Sequence, residues 1–281
     1  VIVAVASGKG GTGKTLISVS LARLLSQHES VQYLDCDVEE PNGHLFLRPE
    51  LSLRESVRLK FPVVDTSRCN LCGECSRFCA FNALALAGSK LLVFPDLCHS
   101  CGGCALVCPQ RAISWEEREI GIVEEGVSGG ITFVHGQLAL GARLVPPLIE
   151  AVRRRTRSQG IAIVDAPPGA ACPVVAAVRG ADLVLLVTEP TPFGLNDLEI
   201  AAELVHLLGL KAAVIINRYG VGDDRVERFC EEKGLCVWER IPYDRRIAEA
   251  YASGRDVAEE VPEFARACRS LLAKLKAEAA R

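Results

Sequence analysis

One cysteine spacing occurs twice in this chain, and it limits the possible folds more than any other feature. Cys69, Cys72, Cys75 and Cys79 follow C-x2-C-x2-C-x3-C, and Cys98, Cys101, Cys104 and Cys108 repeat that spacing 29 residues later. The surroundings repeat as well: VVDTSRCNLCGECSRFCAFNAL (63–84) matches LVFPDLCHSCGGCALVCPQRAI (92–113) at the same offset. Each copy is too short to bury a core of its own, so the pair needs a shared scaffold, and the density of thiols makes that scaffold inorganic. The chain holds 13 cysteines and opens without the basic-then-apolar order of a signal peptide. Metal or redox chemistry is therefore a better reading than disulfides.

Three thiolates spaced by two residues wrap one corner of an iron–sulfur cube, while the fourth cysteine reaches across to a second cluster. That rule assigns Cys69, Cys72, Cys75 and Cys108 to one 4Fe-4S cluster and Cys98, Cys101, Cys104 and Cys79 to another. Zinc is the rival, but zinc ribbons use paired C-x-x-C knuckles with longer spacers, whereas here a triplet plus one occurs twice. The segment resembles the bacterial two-cluster ferredoxins over its whole length. The resemblance implies low-potential one-electron transfer, with a donor and an acceptor protein that the sequence does not name. In one departure, Pro109 follows the last cysteine of the second copy, while Ala80 stands there in the first.

Around this segment the texture is different. Short β-branched apolar runs at 1–6, 31–35, 131–135, 161–165, 183–188, 212–217 and 236–241 are each followed by a helical pattern. Near-continuous apolar strands alternating with helices predict a doubly wound, mostly parallel α/β sheet covered on both faces. With 281 residues, 49% of them hydrophobic, the chain can bury a large core without staples. The expected organisation is a discontinuous domain, 1–60 and 116–281, interrupted by a small α+β insertion at 61–115.

The first strand runs into GKGGTGKT, which satisfies G-x-x-x-x-G-K-[ST] between a strand and a helix. Gly8, Gly10, Gly11, Thr12 and Gly13 let backbone N–H groups converge on phosphate oxygens. Lys14 reaches the terminal phosphates and Thr15 ligates Mg2+. The expected ligands are ATP or ADP with Mg2+. Lys9 is one lysine more than phosphate binding requires, and KGGTGKT resembles the deviant phosphate loop of the MinD, ParA and nitrogenase iron-protein group of ATPases.

That resemblance, which covers nearly the whole chain, implies a P-loop ATPase forming an ATP-dependent homodimer in which Lys9 reaches the partner's nucleotide. It also implies that DCDVEEPN carries a first switch, with Asp35 and Asp37, Asp37 orienting the attacking water. DAPPG would carry a second, where Asp165 holds Mg2+ through water and the Gly169 N–H senses the γ-phosphate. Asn217 and Arg218 would contact adenine, with IPYD (241–244) closing the other face. The residues themselves leave alternatives open: Lys9 as a solvated loop charge, Asp37 or Asp165 as caps of the following segment.

A net charge of -3 and a pI near 6.0 give no electrostatic footprint for nucleic acid. RRRTR (153–157) reads as a solvated helix end. No apolar run approaches the ~20 residues of a membrane span, so the expectation is a cytoplasmic protein without a membrane partner. The chain contains no methionine, which places any initiator outside this numbering. Cys172, seven residues past Asp165, is open to a redox or ligand role or to plain packing. Cys36, Cys230, Cys236 and Cys268 form no C-x-x-C, the motif with which the cluster-carrier branch of the group bridges a labile cluster. The last helix places Phe264, Cys268, Leu271 or Leu272, and Leu275 on one stripe, suited to packing or to a membrane anchor. Three functions follow as expectations: ATP-dependent electron transfer, cluster assembly or delivery, and a MinD-like switch with redox-sensing clusters.

Overall fold

The structure, a computed structural model, describes residues 1–279. Its chain order is β1 (Ile2–Ala6), α1 (Lys14–Ser26), β2 (Val31–Asp35), α2 (Gly43–Leu47) and β3 (Glu50–Val64), then α3 (Glu74–Phe78), β4 (Leu84–Ala87), β5 (Lys90–Val93), α4 (Gly103–Leu106) and β6 (Ile113–Ser128). There follow β7 (Ile131–Leu138), α5 (Val145–Arg153), β8 (Ile161–Asp165), α6 (Cys172–Val178), β9 (Leu183–Thr188), α7 (Pro192–Leu207), β10 (Ala212–Tyr219), α8 (Arg225–Lys233), β11 (Cys236–Pro242), α9 (Arg245–Ala252), α10 (Val257–Glu260) and α11 (Pro262–Ala279).

Among the described residues nine strands form one sheet in the order β11-β10-β9-β1-β8-β2-β7-β6-β3. It is parallel from β11 through β7, and antiparallel where β6 joins β7 and β3 joins β6. The central strands are apolar on both faces because helices cover both. On one face α1, α9, α10 and α11 pack over Val5, Tyr33, Ile163 and Leu185; on the other α5 to α8 pack over Ala4, Leu34, Val164 and Leu186. The stripe on α11 belongs to this core, with Phe264, Cys268 and Leu271 fully buried, so its apolar face is used within the chain. No helix among the described residues is long and apolar enough to cross a membrane.

The seven expected strands all form. Strands β3 and β6 were absent from that expectation. They pair over nearly their whole length, from Glu50↔Val127 to Val64↔Ile113, and run unbroken across positions 60/61 and 115/116. Strand β6 pairs with β7 only between Gly121 and Ser128, so beyond Gly121 the two strands run on as a two-stranded ribbon, held at its root by the Ala139 N–H, which donates to the Ile120 carbonyl at 3.0 Å. The cysteine repeat hangs from its far end. RRRTR also differs from a solvated helix end: Arg155 pairs with Glu55 and Glu125, and Gln32 Nε2 donates to the Arg155 carbonyl at 2.8 Å.

The sequence repeat is a backbone repeat too. Positive φ occurs at Leu71 and Ser100, at Gly73 and Gly102, and at Asn82 and Arg111, each pair separated by the same offset. In each copy a short helix, α3 or α4, carries the third cysteine, and the N–H of Ala83 or Ala112 donates to the sulfur of Cys79 or Cys108 at 3.3 Å.

Candidate functional site

The loop between β1 and α1 meets the C-terminal ends of β2, β8 and β10, where ligands bind in open α/β sheets. Gly13 has φ 98°, and a Cβ there would lie 2.5 Å from Asn217 Nδ2, so both its conformation and its neighbour exclude a side chain. Asn217 Nδ2 donates to the Thr12 carbonyl at 2.8 Å and Arg218 Nη2 to that of Gly11 at 3.1 Å. These two residues therefore brace the loop while lining the cleft beside it.

That cleft, about 340 Å³, is bounded by Gly10, Gly11, Lys14 and Thr15 on one side, Asp37, Asn42 and Pro168 on a second, and Tyr243, Asp244, Ile247 and Tyr251 on a third. It is large enough for a nucleotide. Lys14 is buried at its base; burial lowers its pKa, while Asp165 and Asp37 act to raise it. Burial pushes the Asp37 carboxyl up to about 6, against the pull of Lys14.

Asp35 and Asp165 sit side by side in register on β2 and β8, both buried, and burial raises both carboxyls. Asp35 is a loop holder: its Oδ1 accepts from the Asp37 N–H at 3.1 Å and its Oδ2 from the Gly43 N–H at 2.9 Å. Asp165 Oδ2 accepts from Tyr33, whereas Asp165 Oδ1 is buried with no hydrogen-bond partner. A bare carboxylate oxygen beside Lys14 and Thr15 suits a cation, so the residues present fit Mg2+. The Gly169 N–H is bonded to the Ser7 carbonyl at 3.0 Å and must leave it to meet a phosphate.

Lys9 is neither a solvated charge nor turned away from its own chain. Its ammonium is paired with Glu189, whose side chain is 9% exposed and which also accepts from Arg218 Nη1 at 2.8 Å. Burial acts to raise the Glu189 carboxyl, but the two cations outweigh it and hold it below the ordinary glutamate range. Glu189 was missed in the sequence although it follows β9 directly, where the rule that singled out Asp165 applies equally. Tyr33 was missed too; its signal is a tyrosine in an otherwise aliphatic buried strand, whose hydroxyl needs a partner.

Loop 36–42 leads into α2 and then into the ribbon. The Asn42 side-chain oxygen is buried without a partner. His44 on α2 meets His135 edge-on, ring centroids 5.4 Å apart, and His135 Nε2 lies 2.9 Å from Glu124 on β6. Ser128 Oγ, at the base of β6, donates to the Leu47 carbonyl. Burial first, then His135, lowers the pKa of His44.

At the far end of the ribbon are two cavities. One is lined by Cys69, Cys72, Cys75 and Cys108, the other by Cys79, Cys98, Cys101 and Cys104. No group of three His, Cys, Asp or Glu among the described residues stands close enough to hold a single metal ion. A cluster places each thiolate on a different iron, so its four ligands stand wider apart than those of one ion. Cys172 is exposed as the first residue of the short helix α6, far in sequence from either quartet.

Comparison with known proteins agrees with the geometry of the body. An uncharacterized protein of Methanocaldococcus jannaschii, MJ0579, is 34% identical over 261 residues, covering 90% of each chain. A ferredoxin-like protein of the nif region of Sinorhizobium fredii is 41% identical over 52 residues, 16% of this chain and 81% of that one. The septum site-determining protein MinD of Pyrococcus horikoshii, solved with Mg-ADP, superposes with a TM-score of 0.62 at 17% identity, covering 98% of this chain and 95% of that one, a likeness of fold. The profile of the CobQ/CobB/MinD/ParA nucleotide-binding domain matches residues 3–257, and the chain belongs to that family.

Proposed function

We propose that this protein is a Mg2+-dependent ATPase in which nucleotide-driven dimerisation controls one-electron transfer through two 4Fe-4S clusters held by residues 61–115 as a ferredoxin-like insertion. Lys14 and the loop N–H groups hold the phosphates, and Thr15, with Asp165 through water, holds Mg2+, which neutralises phosphate charge. Asp37 orients the attacking water, the Gly169 N–H meets the γ-phosphate, and Asn217 and Arg218 border the adenine. Lys9 leaves Glu189 to reach the partner's nucleotide. Each thiol quartet takes one cluster, which supplies a one-electron carrier.

The observation that carries this reading is continuity. Glu50, the first residue of β3, stands thirteen residues after Asp37, and α2 between them is tied to β6 through His44, His135 and Glu124. A displacement of loop 36–42 on hydrolysis is thereby passed into both strands that carry the cysteines. The paired cavities, one for each expected quartet, and the ferredoxin-like relative support the cluster part. If one redox state binds ATP about 100-fold more tightly than the other, the midpoint shifts by about 120 mV.

Redox-poised EPR of anaerobically purified protein, with and without MgATP, tests the reading. The expected result is two 4Fe-4S signals whose midpoints move with nucleotide. Two signals indifferent to MgATP would refute the coupling, and an iron-free protein would refute the clusters.

A further inference from the structure

Tyr33 is fully buried in β2, and its ring stacks on Phe133 with centroids 5.8 Å apart and planes 8° from parallel. A phenylalanine would satisfy that packing, so the hydroxyl needs a separate explanation. It donates to Asp165 Oδ2 at 2.9 Å and lies 3.3 Å from Ser18 Oγ, which itself bonds the Thr15 carbonyl at 3.1 Å. The backbone leaves room for it: a Cβ on Gly43 would lie 2.8 Å from the Tyr33 oxygen and 3.0 Å from Asp35 Oδ2.

The consequence falls on Asp165. With Oδ2 occupied by the phenol, the carboxylate cannot rotate freely about its last bond, and Oδ1 remains as the buried oxygen without a partner. Asp35 stands beside it in register and bonds only backbone N–H groups, so it offers Asp165 no donor. Tyr33 is thus a neutral donor on a carboxylate that already has a second carboxylate as its neighbour.

We infer that Tyr33 is a positioning residue for the divalent cation: its hydroxyl fixes Asp165 so that Oδ1 faces the water shell of nucleotide-bound Mg2+. The inference rests on the nucleotide site proposed above and is independent of the clusters. Groups that orient metal-binding carboxylates typically contribute 10–100-fold in metal affinity.

Binding of a fluorescent ADP analogue to the full-length protein, titrated with Mg2+ and repeated in EDTA, tests it in wild type and Tyr33→Phe. The expected result is a half-saturating Mg2+ concentration raised about tenfold in Y33F, with metal-free ADP affinity within about twofold of wild type. An unchanged Mg2+ dependence overturns the inference. So does a parallel loss of metal-free affinity, which would make Tyr33 a general support of the fold. If Y33F loses its thermal transition, Gly43→Ala displaces the same hydroxyl without removing it and must give the selective Mg2+ defect. A wild-type protein that binds ADP with no response to Mg2+ overturns the cation site itself, and one that binds no ADP overturns the nucleotide reading.

Discussion

Glu189 stands between Lys9 and Arg218, nearly out of solvent, so if Lys9 departs the carboxylate keeps one cation and is not left bare. That arrangement makes Lys9 easier to release than a lone buried pair, in which the abandoned charge costs several kcal/mol. Replacing Glu189 by glutamine should weaken the hold on Lys9 by about 1 kcal/mol, the scale of a partly exposed pair. Sedimentation at varied ATP should then show half-maximal dimer at roughly fivefold lower nucleotide. Lys9→Ala should abolish the ATP-dependent dimer and leave iron content unchanged. Lys14, Thr15 and Asp165 were legible in the sequence because motif and strand end fix their places. Glu189 and Tyr33 were not, because their partners are 180 and 132 residues away in the chain and only the sheet brings them together.

Helix α2 has five residues; its His44 Nδ1, the Asn42 side-chain oxygen just before it and Nδ1 of His135, which faces it from β7, are buried without hydrogen-bond partners. Set between the Asp37 loop and the ribbon, and stacked through Phe46 on Tyr251 of the cleft with ring centroids 4.5 Å apart, α2 is placed to relay a shift in the state of the nucleotide. His44→Ala removes the edge contact to His135 and leaves every cysteine and every cleft residue in place. It should at least halve any nucleotide-induced change in the EPR signals without altering nucleotide affinity. The parallel strands were readable because burial on both faces writes a continuous apolar run. Strands β3 and β6 were hidden because solvent covers most of the ribbon, and ELSLRESVRLK and EEREIGIVEE carry charges where a core strand has aliphatics. Gly121 marks the change: a Cβ there would lie 2.5 Å from the Gln137 carbonyl oxygen, at the last pairing of β6 with β7.

At the scale of the molecule, a nucleotide-binding body and a cysteine-rich tip are joined by the part of the β3/β6 ladder beyond Gly121, roughly 7 residues of β3 and about 24 Å if fully extended. Replacing residues 65–112 by an Asn-Gly turn, the natural closure of two antiparallel strands, should leave a folded, ADP-binding protein that holds no iron. Calorimetry, nucleotide binding and iron analysis of that variant check the separation, and an unfolded product would show that the tip supports the body. The last ladder pair, Val64 facing Ile113, has a wider consequence. Any segment whose two ends lie one strand spacing apart can be spliced at this point without shifting the register of the nine-stranded sheet. Descent could therefore have added the tip in a single insertion, with the pair of Asp96 and Arg143, 3.9 Å apart, as a contact between tip and body outside the ladder.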